Sequence, residues 1–273
     1  MELFLLREAA VIIACCFSAY TDLKTGEIPN KITYTLIAIG AVLNIVEQNW
    51  TGLALGAGIF AIGYALYYSG KIGGGDVKLF AGIAMAMPFI GGIVFILPVL
   101  LYSALVAVMF LSVYYFVKLA RLKKLALKEN MQGIVNAVGL GAILAAYFYF
   151  MTSIGFFQLQ NALVLAIPLG FACLFLALEK SIRKNFFLKE VPVGKLEEDE
   201  LIALEFLPEK IREKINPKAK RIIDEKMLKE LKKMKITKIL VYRNLPRFAP
   251  FILAGVILAI LRPELVAGVF RLG

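Results

Sequence analysis

The segment Ile72-Gly73-Gly74-Gly75-Asp76-Val77-Lys78 places three consecutive glycines and a carboxylate between two hydrophobic runs. The glycines remove every side chain beside Asp76, so another backbone can approach it closely and unusual dihedral angles cost little. If a helix begins at Asp76, this residue is its N-cap and the helix dipole favours the ionised carboxylate. A flexible loop capped by an aspartate has the same local sequence. A second carboxylate close to Asp76 would favour a functional site over such a loop.

The composition around this segment is that of a membrane protein. Hydrophobic residues make up 60% of the 273 positions, charged residues only 19%, and the mean hydropathy is +0.78. Several apolar runs are long enough to cross a hydrocarbon core. We therefore predict an all-α polytopic membrane protein with about six to eight transmembrane helices and a small cytoplasmic domain near the C-terminus. Eight runs are candidate spans: 3–20, 32–46, 51–68, 77–90, 93–117, 133–151, 160–178 and 248–261.

The basic residues indicate the topology. Of the 31 Lys and Arg residues, 28 fall in four alternate connections between the candidate spans: 21–31, 70–78, 118–130 and 179–247. Such an excess of basic residues marks cytoplasmic loops. The net charge of +11 is then explained by topology and by contact with the lipid bilayer. No nucleic-acid partner is predicted.

The chain divides into three predicted parts. Residues 1–178 form a transmembrane helical domain, 179–247 a basic cytoplasmic domain, and 248–273 a C-terminal transmembrane helix; the first of these is the part to which the motifs below assign the activity. The cytoplasmic part holds 19 basic and 12 acidic residues and is interrupted by prolines. Within it, the pattern over 221–235 predicts a charged helix with one apolar face. That face consists of Ile222, Ile223, Met227, Leu228 and Leu231.

The second carboxylate is Asp22, in the connection Tyr20-Thr-Asp22-Leu-Lys24-Thr-Gly26-Glu27-Ile28-Pro29-Asn30. Asp22 lies at the cytoplasmic end of the first span, and Asp76 lies at the cytoplasmic start of the fourth. The two are therefore expected at the same depth on the same side of the membrane. Glu27 is expected to be a solvated charge, and it is also a candidate contact for a basic substrate segment.

The residue types that are absent restrict the chemistry. The chain has no His, which excludes Ser-His and Cys-His catalysis and an H-E-x-x-H zinc site. The three Cys have no CxxC spacing, so neither a zinc site nor a disulfide framework is expected. No metal and no cofactor are predicted.

Two carboxylates that share one proton can still hydrolyse a peptide bond. The ionised partner deprotonates a water, and the protonated partner polarises the scissile carbonyl. The sequence leaves open which aspartate holds the proton, because titration belongs to the pair. Gly73, Gly74 and Gly75 would let an extended substrate backbone lie beside Asp76.

These two motifs resemble those of the GxGD aspartic peptidases that process type IV prepilins and archaeal preflagellins. The run Gly73-Gly74-Gly75-Asp76-Val77-Lys78 matches the GxGDxK pattern, and Asp22 followed by Pro29-Asn30 resembles the first motif of the family. The resemblance implies a multi-span helical fold with Asp22 and Asp76 as the catalytic dyad. It also implies that the substrate is a prepilin-like or preflagellin precursor, cut after a short basic leader at the cytoplasmic face of the cell membrane.

The sequence departs from the bifunctional bacterial members of this family. Those members carry a four-Cys zinc loop and N-methylate the new terminus, whereas no such loop is present here. The resemblance is therefore to the archaeal, peptidase-only type. The oligomeric state and the role of 179–247 stay open, with leader docking as one hypothesis.

Three other functions remain as alternatives. Paired intramembrane aspartates also occur in secondary ion or solute transporters, although no inverted repeat is visible here. A presenilin-like intramembrane protease would share the GxGD element, but no Pro-Ala-Leu motif is present. A non-catalytic scaffold would use the cytoplasmic part to recruit partners.

Overall fold

The computed structural model describes residues 2–70, 72–124, 126–156, 159–197, 200–207, 223, 225–233, 237–243 and 245–263. The α-helices within these residues are α1 (Glu2–Thr25), α2 (Asn30–Val46), α3 (Trp50–Tyr68), α4 (Gly74–Ala86), α5 (Ile96–Arg121), α6 (Met131–Ser153), α7 (Leu159–Ile182), α8 (Glu225–Lys233) and α9 (Ala249–Leu261). The short strands are β1 (Phe89–Ile90), β2 (Ile93–Val94), β3 (Leu188–Pro192), β4 (Leu201–Ile202) and β5 (Lys238–Tyr242).

The protein is an all-α polytopic membrane protein, as the sequence predicts. Among the described helices, five are long and apolar enough to cross a membrane: α1, α3, α5, α6 and α7. Helices α2 and α9 are apolar but shorter. Of the predicted C-terminal helix over 248–273, residues 264–273 lie outside the described part of the chain.

The fourth predicted span, 77–90, is wrong at its C-terminal end. The helix stops at Ala86, and Phe89–Ile90 pairs with Ile93–Val94 in a small antiparallel hairpin. Gly91 and Gly92 form the two-residue turn of this hairpin, with φ of +55° and +80°. Positive φ at both central residues is typical of such tight hairpin turns. The 13 residues of α4 reach only about 20 Å, short of a hydrocarbon core of about 30 Å.

Helix α4 is instead the centre of the transmembrane core. It packs against α1, α2, α3 and α5, and Leu79, Ile83 and Ala86 are fully buried. A helix that is apolar on all sides is stable when other helices surround it. This packing fixes the first turn of α4, which carries Asp76.

Glycine residues, which have no side chain, let α2 and α3 approach α4 closely. A Cβ atom at Gly40 of α2 would lie 2.5 Å from the backbone nitrogen of Ala86, and one at Gly56 of α3 would lie 2.6 Å from the Met85 side chain. The spacing Gly52-x-x-x-Gly56 thus faces a helix, as expected for small residues in lipid. Gly58, in contrast, has nothing within 4 Å of its Cβ position.

We expect Gly40→Ala to lower the free energy of unfolding by about 1–3 kcal/mol, the usual cost of overpacking a filled interior. The added methyl group meets backbone, which cannot rotate away. Gly58→Ala is the matched control, and it should be neutral or stabilising by up to about 1 kcal/mol, because alanine favours the helix. Thermal unfolding of the purified proteins in detergent measures both. Equal stability of the two variants would contradict this account of the α2–α4 contact.

A buried polar network holds the other end of α4. Arg7 is 5% exposed, and its guanidinium donates to the Ala86 carbonyl oxygen at 2.5 Å, to Asn44 Oδ1 at 3.0 Å and to Glu47 Oε2 at 2.8 Å. The Asn44 side chain donates to the Met85 carbonyl oxygen at 2.8 Å. These contacts satisfy two of the carbonyl groups that a helix C-terminus leaves free, and they place positive charge where the helix dipole favours it.

The region after α7 contains a sheet that the sequence analysis did not predict. Its strand order is β3-β5-β4, and both pairings are antiparallel. Ile239 and Val241 of β5 are buried against Val191, Ile202 and other apolar residues. The sheet therefore has a small core of its own.

Helix α8 covers this core. The predicted helix over 221–235 is helical over Glu225–Lys233, and its flanking residues 221, 222, 224 and 234–235 lie outside the described residues. Ile223, Met227 and Leu231 are buried and Leu228 is partly buried. The predicted apolar face is thus confirmed for Met227, Leu228 and Leu231, whereas Ile223 is buried in the same core but precedes the helix.

Candidate active site

Asp22 is held in the last turns of α1 with its side chain 6% exposed. Its Oδ2 atom accepts a hydrogen bond from the backbone N–H of Ala249 at 3.0 Å. Its backbone carbonyl accepts from the N–H of Gly26 at 2.9 Å, and Gly26 has φ +82°. A glycine in this left-handed conformation ends the helix. Asp22 therefore points into the protein, whereas the chain turns away after it.

Asp76 lies in the first turn of α4, although it is not the N-cap. The helix begins at Gly74 with Gly73 as its N-cap, so the condition for an N-cap at Asp76, a helix start at that residue, is not met. Asp76 occupies the third helical position, from which an acidic side chain can reach back to the N-cap backbone. A backbone hydrogen bond from Gly73 is present and favours the ionised carboxylate.

The two aspartates line one cavity of about 880 Å³. Asp76 precedes the apolar part of α4 and lies outside the five spanning helices. Burial, and then the nearby charge of Asp22, raise the pKa of Asp76 to about 7, against the lowering effect of the Gly73 hydrogen bond. The charge of Asp22 is thus close enough to Asp76 to act on the pKa of Asp76, although 53 residues separate the two along the chain.

The three glycines before Asp76 have different surroundings. A Cβ atom at Gly75 would lie 3.0 Å from Ile28, and one at Gly74 would lie 3.4 Å from Tyr67. At Gly73 the neighbour within 3 Å would be Asp76 Oδ2 itself. Gly75 therefore allows α4 to pack closely against Ile28, a Cβ atom at Gly74 would make only an ordinary contact, and Gly73 leaves the space beside the Asp76 carboxylate open.

Two further charged residues connect or border the site. Lys78 donates to Asn30 Oδ1 at 2.7 Å, which joins the two sequence motifs directly; the sequence analysis did not predict this contact. Glu27, the candidate leader contact, is exposed and lines the cavity.

Leu66 and Leu111 also line the cavity, and a further part of its wall comes from the far end of the chain, which the sequence analysis did not predict. Residues 245–249, which we call the strap, lead into α9 and include its first residue, Ala249. Leu245, Pro246, Arg247 and Phe248 of the strap line the cavity together with Arg243. Arg243 forms an ion pair with Glu200, while the Arg247 guanidinium lies directly over Gly26. No sequence motif marks these residues.

The cavity is thus lined by two carboxyl groups of unequal burial that interact electrostatically, and Gly73 leaves the backbone before Asp76 uncovered. Within the described part of the chain, no group of three or more His, Cys, Asp or Glu side chains is arranged to hold a metal ion. The pair of carboxyl groups can bind a water molecule and exchange a proton with it.

Comparison with known proteins places these residues in a family context. Residues 9–119 match the model of the type IV leader peptidase family, and both aspartates lie in this segment. The prepilin peptidase EppA of Methanothermobacter thermautotrophicus is 34% identical over 140 residues, an alignment that covers 42% of this chain and 36% of the relative. The matched part is thus about a third of that relative's length. No solved structure gives a significant match. Over residues 9–119 the chain is thus similar to the type IV leader peptidase family.

Proposed function

We propose that this chain is a membrane aspartic endopeptidase of the GxGD type. It removes a basic leader from prepilin-like or preflagellin precursors, with Asp22 and Asp76 as its catalytic dyad. The proposal rests on the observation that both carboxyl groups line one cavity and that both residues belong to the family-matched segment. The match to a leader peptidase family also favours this function over a transporter or a scaffold.

The proposed reaction uses a single water molecule. One carboxylate takes a proton from the water while the water oxygen attacks the carbonyl carbon of the scissile peptide bond. The protonated partner donates a hydrogen bond to the carbonyl oxygen. A proton then passes to the leaving nitrogen and the C–N bond breaks, which yields the leader carboxylate and the mature amine.

The surroundings of the two groups support a division of roles. The pKa of Asp76 is about 7, so Asp76 is the partner that holds the proton under mildly acidic to neutral conditions. Asp22 already accepts a hydrogen bond from Ala249 and acts as the base. The open side of Gly73 gives an extended substrate backbone access to Asp76.

The proposed location of the site is the cytoplasmic face of the cell membrane. The connections 21–31 and 70–78, which carry the two aspartates, belong to the basic set, and basic loops face the cytoplasm. Cysteine substitution at exposed Lys24 tests this location. A membrane-impermeant thiol reagent should label it in inverted vesicles and leave it unlabelled in intact cells.

Co-expression with candidate precursors tests the substrate class. Pilin, flagellin and other pilin-like precursors are expressed with this chain, and the N-terminus of each mature product is sequenced. We expect a new N-terminus at the junction between the basic leader and the hydrophobic segment. Unprocessed precursors in every combination would overturn the assignment of the substrate class.

The raised pKa of Asp76 predicts the pH dependence of cleavage. The active pair carries one proton, and Asp76 holds it below about pH 7 and loses it above. The cleavage rate should therefore fall as the pH rises through about 7. The initial rate between pH 5 and 9 measures this, with an acetylated precursor peptide that has no group titrating near neutrality. A constant rate from pH 6 to 9 would contradict the proposed role of Asp76.

A further inference from the structure

The strap places a hydrogen-bond donor against the dyad. Ala249 is the first residue of α9, so its N–H is one of the groups that a helix start leaves without an internal partner. This N–H donates to Asp22 Oδ2 at 3.0 Å. Ala249 is fully buried and Asp22 is nearly so. Oδ1 of Asp22 accepts no hydrogen bond from any residue that the structure describes.

The position of this donor is fixed by packing on both sides. The Phe248 ring meets the ring of Phe80 from α4 at 6.4 Å between centroids. Further along α9, a Cβ atom at Gly255 would lie 2.7 Å from the backbone nitrogen of Ser103 in α5. Helix α9 also packs along α1, which carries Asp22. The N–H of Ala249 thus cannot move far from the carboxylate without disturbing the core.

A fixed donor on one oxygen orients a carboxylate. With Oδ2 engaged, rotation of the Asp22 side chain is restricted, and Oδ1 is the oxygen left for a water molecule. Hydrogen bonds to charged groups are stronger and shorter than those between neutral groups. A backbone donor at a helix start adds the favourable helix dipole.

We propose that the backbone N–H of Ala249 is a positioning group of the catalytic dyad. Helix α9, which lies outside the family-matched residues 9–119, then completes the active site. This inference rests on the proposed function, because it assigns Asp22 as the base. It gives the C-terminal part of the chain a role in the chemistry itself, in addition to any role in leader docking.

Replacement of Ala249 by lactic acid tests the proposal. Lactic acid keeps the methyl group and changes the N–H to an ester oxygen, and a suppressor tRNA inserts it into the full chain. We expect kcat to fall roughly 10- to 100-fold, as for the loss of a hydrogen bond to a charged group, with KM unchanged.

The matched control is phenyllactic acid at Phe251, whose N–H bonds to the Phe248 carbonyl at 2.9 Å in the same turn. This ester weakens the helix equally without touching Asp22, so kcat should stay near the wild-type value. Wild-type kcat with the ester at position 249 would overturn the proposal. An equal fall in kcat for both esters, or a rise in KM alone, would overturn it as well.

The proposed function fails in a different way. If wild-type protein cleaves no precursor, or if Asp22→Asn cleaves normally, the peptidase assignment fails before the strap is considered. If the aspartate variants are inactive and the ester at position 249 is fully active, the dyad stands and only the positioning role of Ala249 is lost.

Discussion

Asp22→Asn and Asp76→Asn should each reduce precursor cleavage by a factor of roughly 10²–10⁴ or more, the contribution of a positioned acid or base. An amide has nearly the volume of a carboxyl group, so the cavity keeps its shape. The amide group, however, neither takes a proton from water nor carries the proton that the pair of carboxyl groups shares. Each variant therefore removes one half of the chemistry. Cleavage of a precursor in membranes, followed by gel mobility and mass spectrometry, measures the loss.

Glu129→Gln is a suitable control for these two substitutions. Glu129 pairs with Lys184 at 3.0 Å, and both side chains are exposed. Glu129→Gln removes one negative charge outside the cavity. Cleavage should therefore stay at the wild-type rate. Normal cleavage by either aspartate variant would exclude the dyad.

Arg7→Met should cause a large loss of stability although Arg7 lies away from the site. We expect the free energy of unfolding to fall by roughly 2–4 kcal/mol, near the range for breaking a buried ion pair. The change leaves the Glu47 carboxylate and the Ala86 carbonyl without the guanidinium that they share. Glu47 is 32% exposed, so water compensates for part of the loss. Equilibrium unfolding in mixed micelles measures the effect.

A double variant separates the lone charge from the lost packing. Arg7→Met with Glu47→Gln should recover part of the stability, because no unpaired carboxylate remains. Lys229→Met breaks an exposed ion pair with Glu225 and should cost less than about 1 kcal/mol. If Arg7→Met costs no more than Lys229→Met, the network at the end of α4 is not a stabilising element.

The helices could be predicted because their signal is local. Long apolar runs in a chain with little charge leave few structures other than membrane helices. The second helix, for example, was predicted over 32–46 and is observed over Asn30–Val46. The end of α4 was missed because the apolar run continues past Ala86 into the hairpin, and hydropathy does not distinguish the two. The paired glycines at 91 and 92 were the available signal for the turn.

The sheet was missed because its pairing is not local. Strand β5 pairs Val241 with Lys189 and with Ile202, and no local pattern identifies partners that lie so far away in sequence. The short apolar run at 238–242 lies in a segment dominated by charged residues. It was therefore predicted only as part of a basic domain and not as a strand. The apolar face of α8 was found because helical periodicity is local.

The site could be predicted only in part. Asp22 and Asp76 were expected to lie near each other because the predicted topology places the end of the first span and the start of the fourth on one side of the membrane. The structure has both residues in the lining of one cavity, and their catalytic role stays a prediction. The Ala249 donor could not be found, because every residue except proline has a backbone N–H and the sequence does not indicate where it points. The contact between Lys78 and Asn30 was also missed, since both residues have ordinary roles at helix starts and membrane interfaces.

The most direct test of the central claim uses purified protein in liposomes with a single prepilin-like precursor. The products are identified by mass spectrometry and N-terminal sequencing. The account predicts one cut at the junction between leader and hydrophobic segment by the wild-type chain, and none by Asp22→Asn or Asp76→Asn. The same cut by the double aspartate variant, or no cut by the wild-type chain of a precursor that a leader peptidase is known to process, would contradict it.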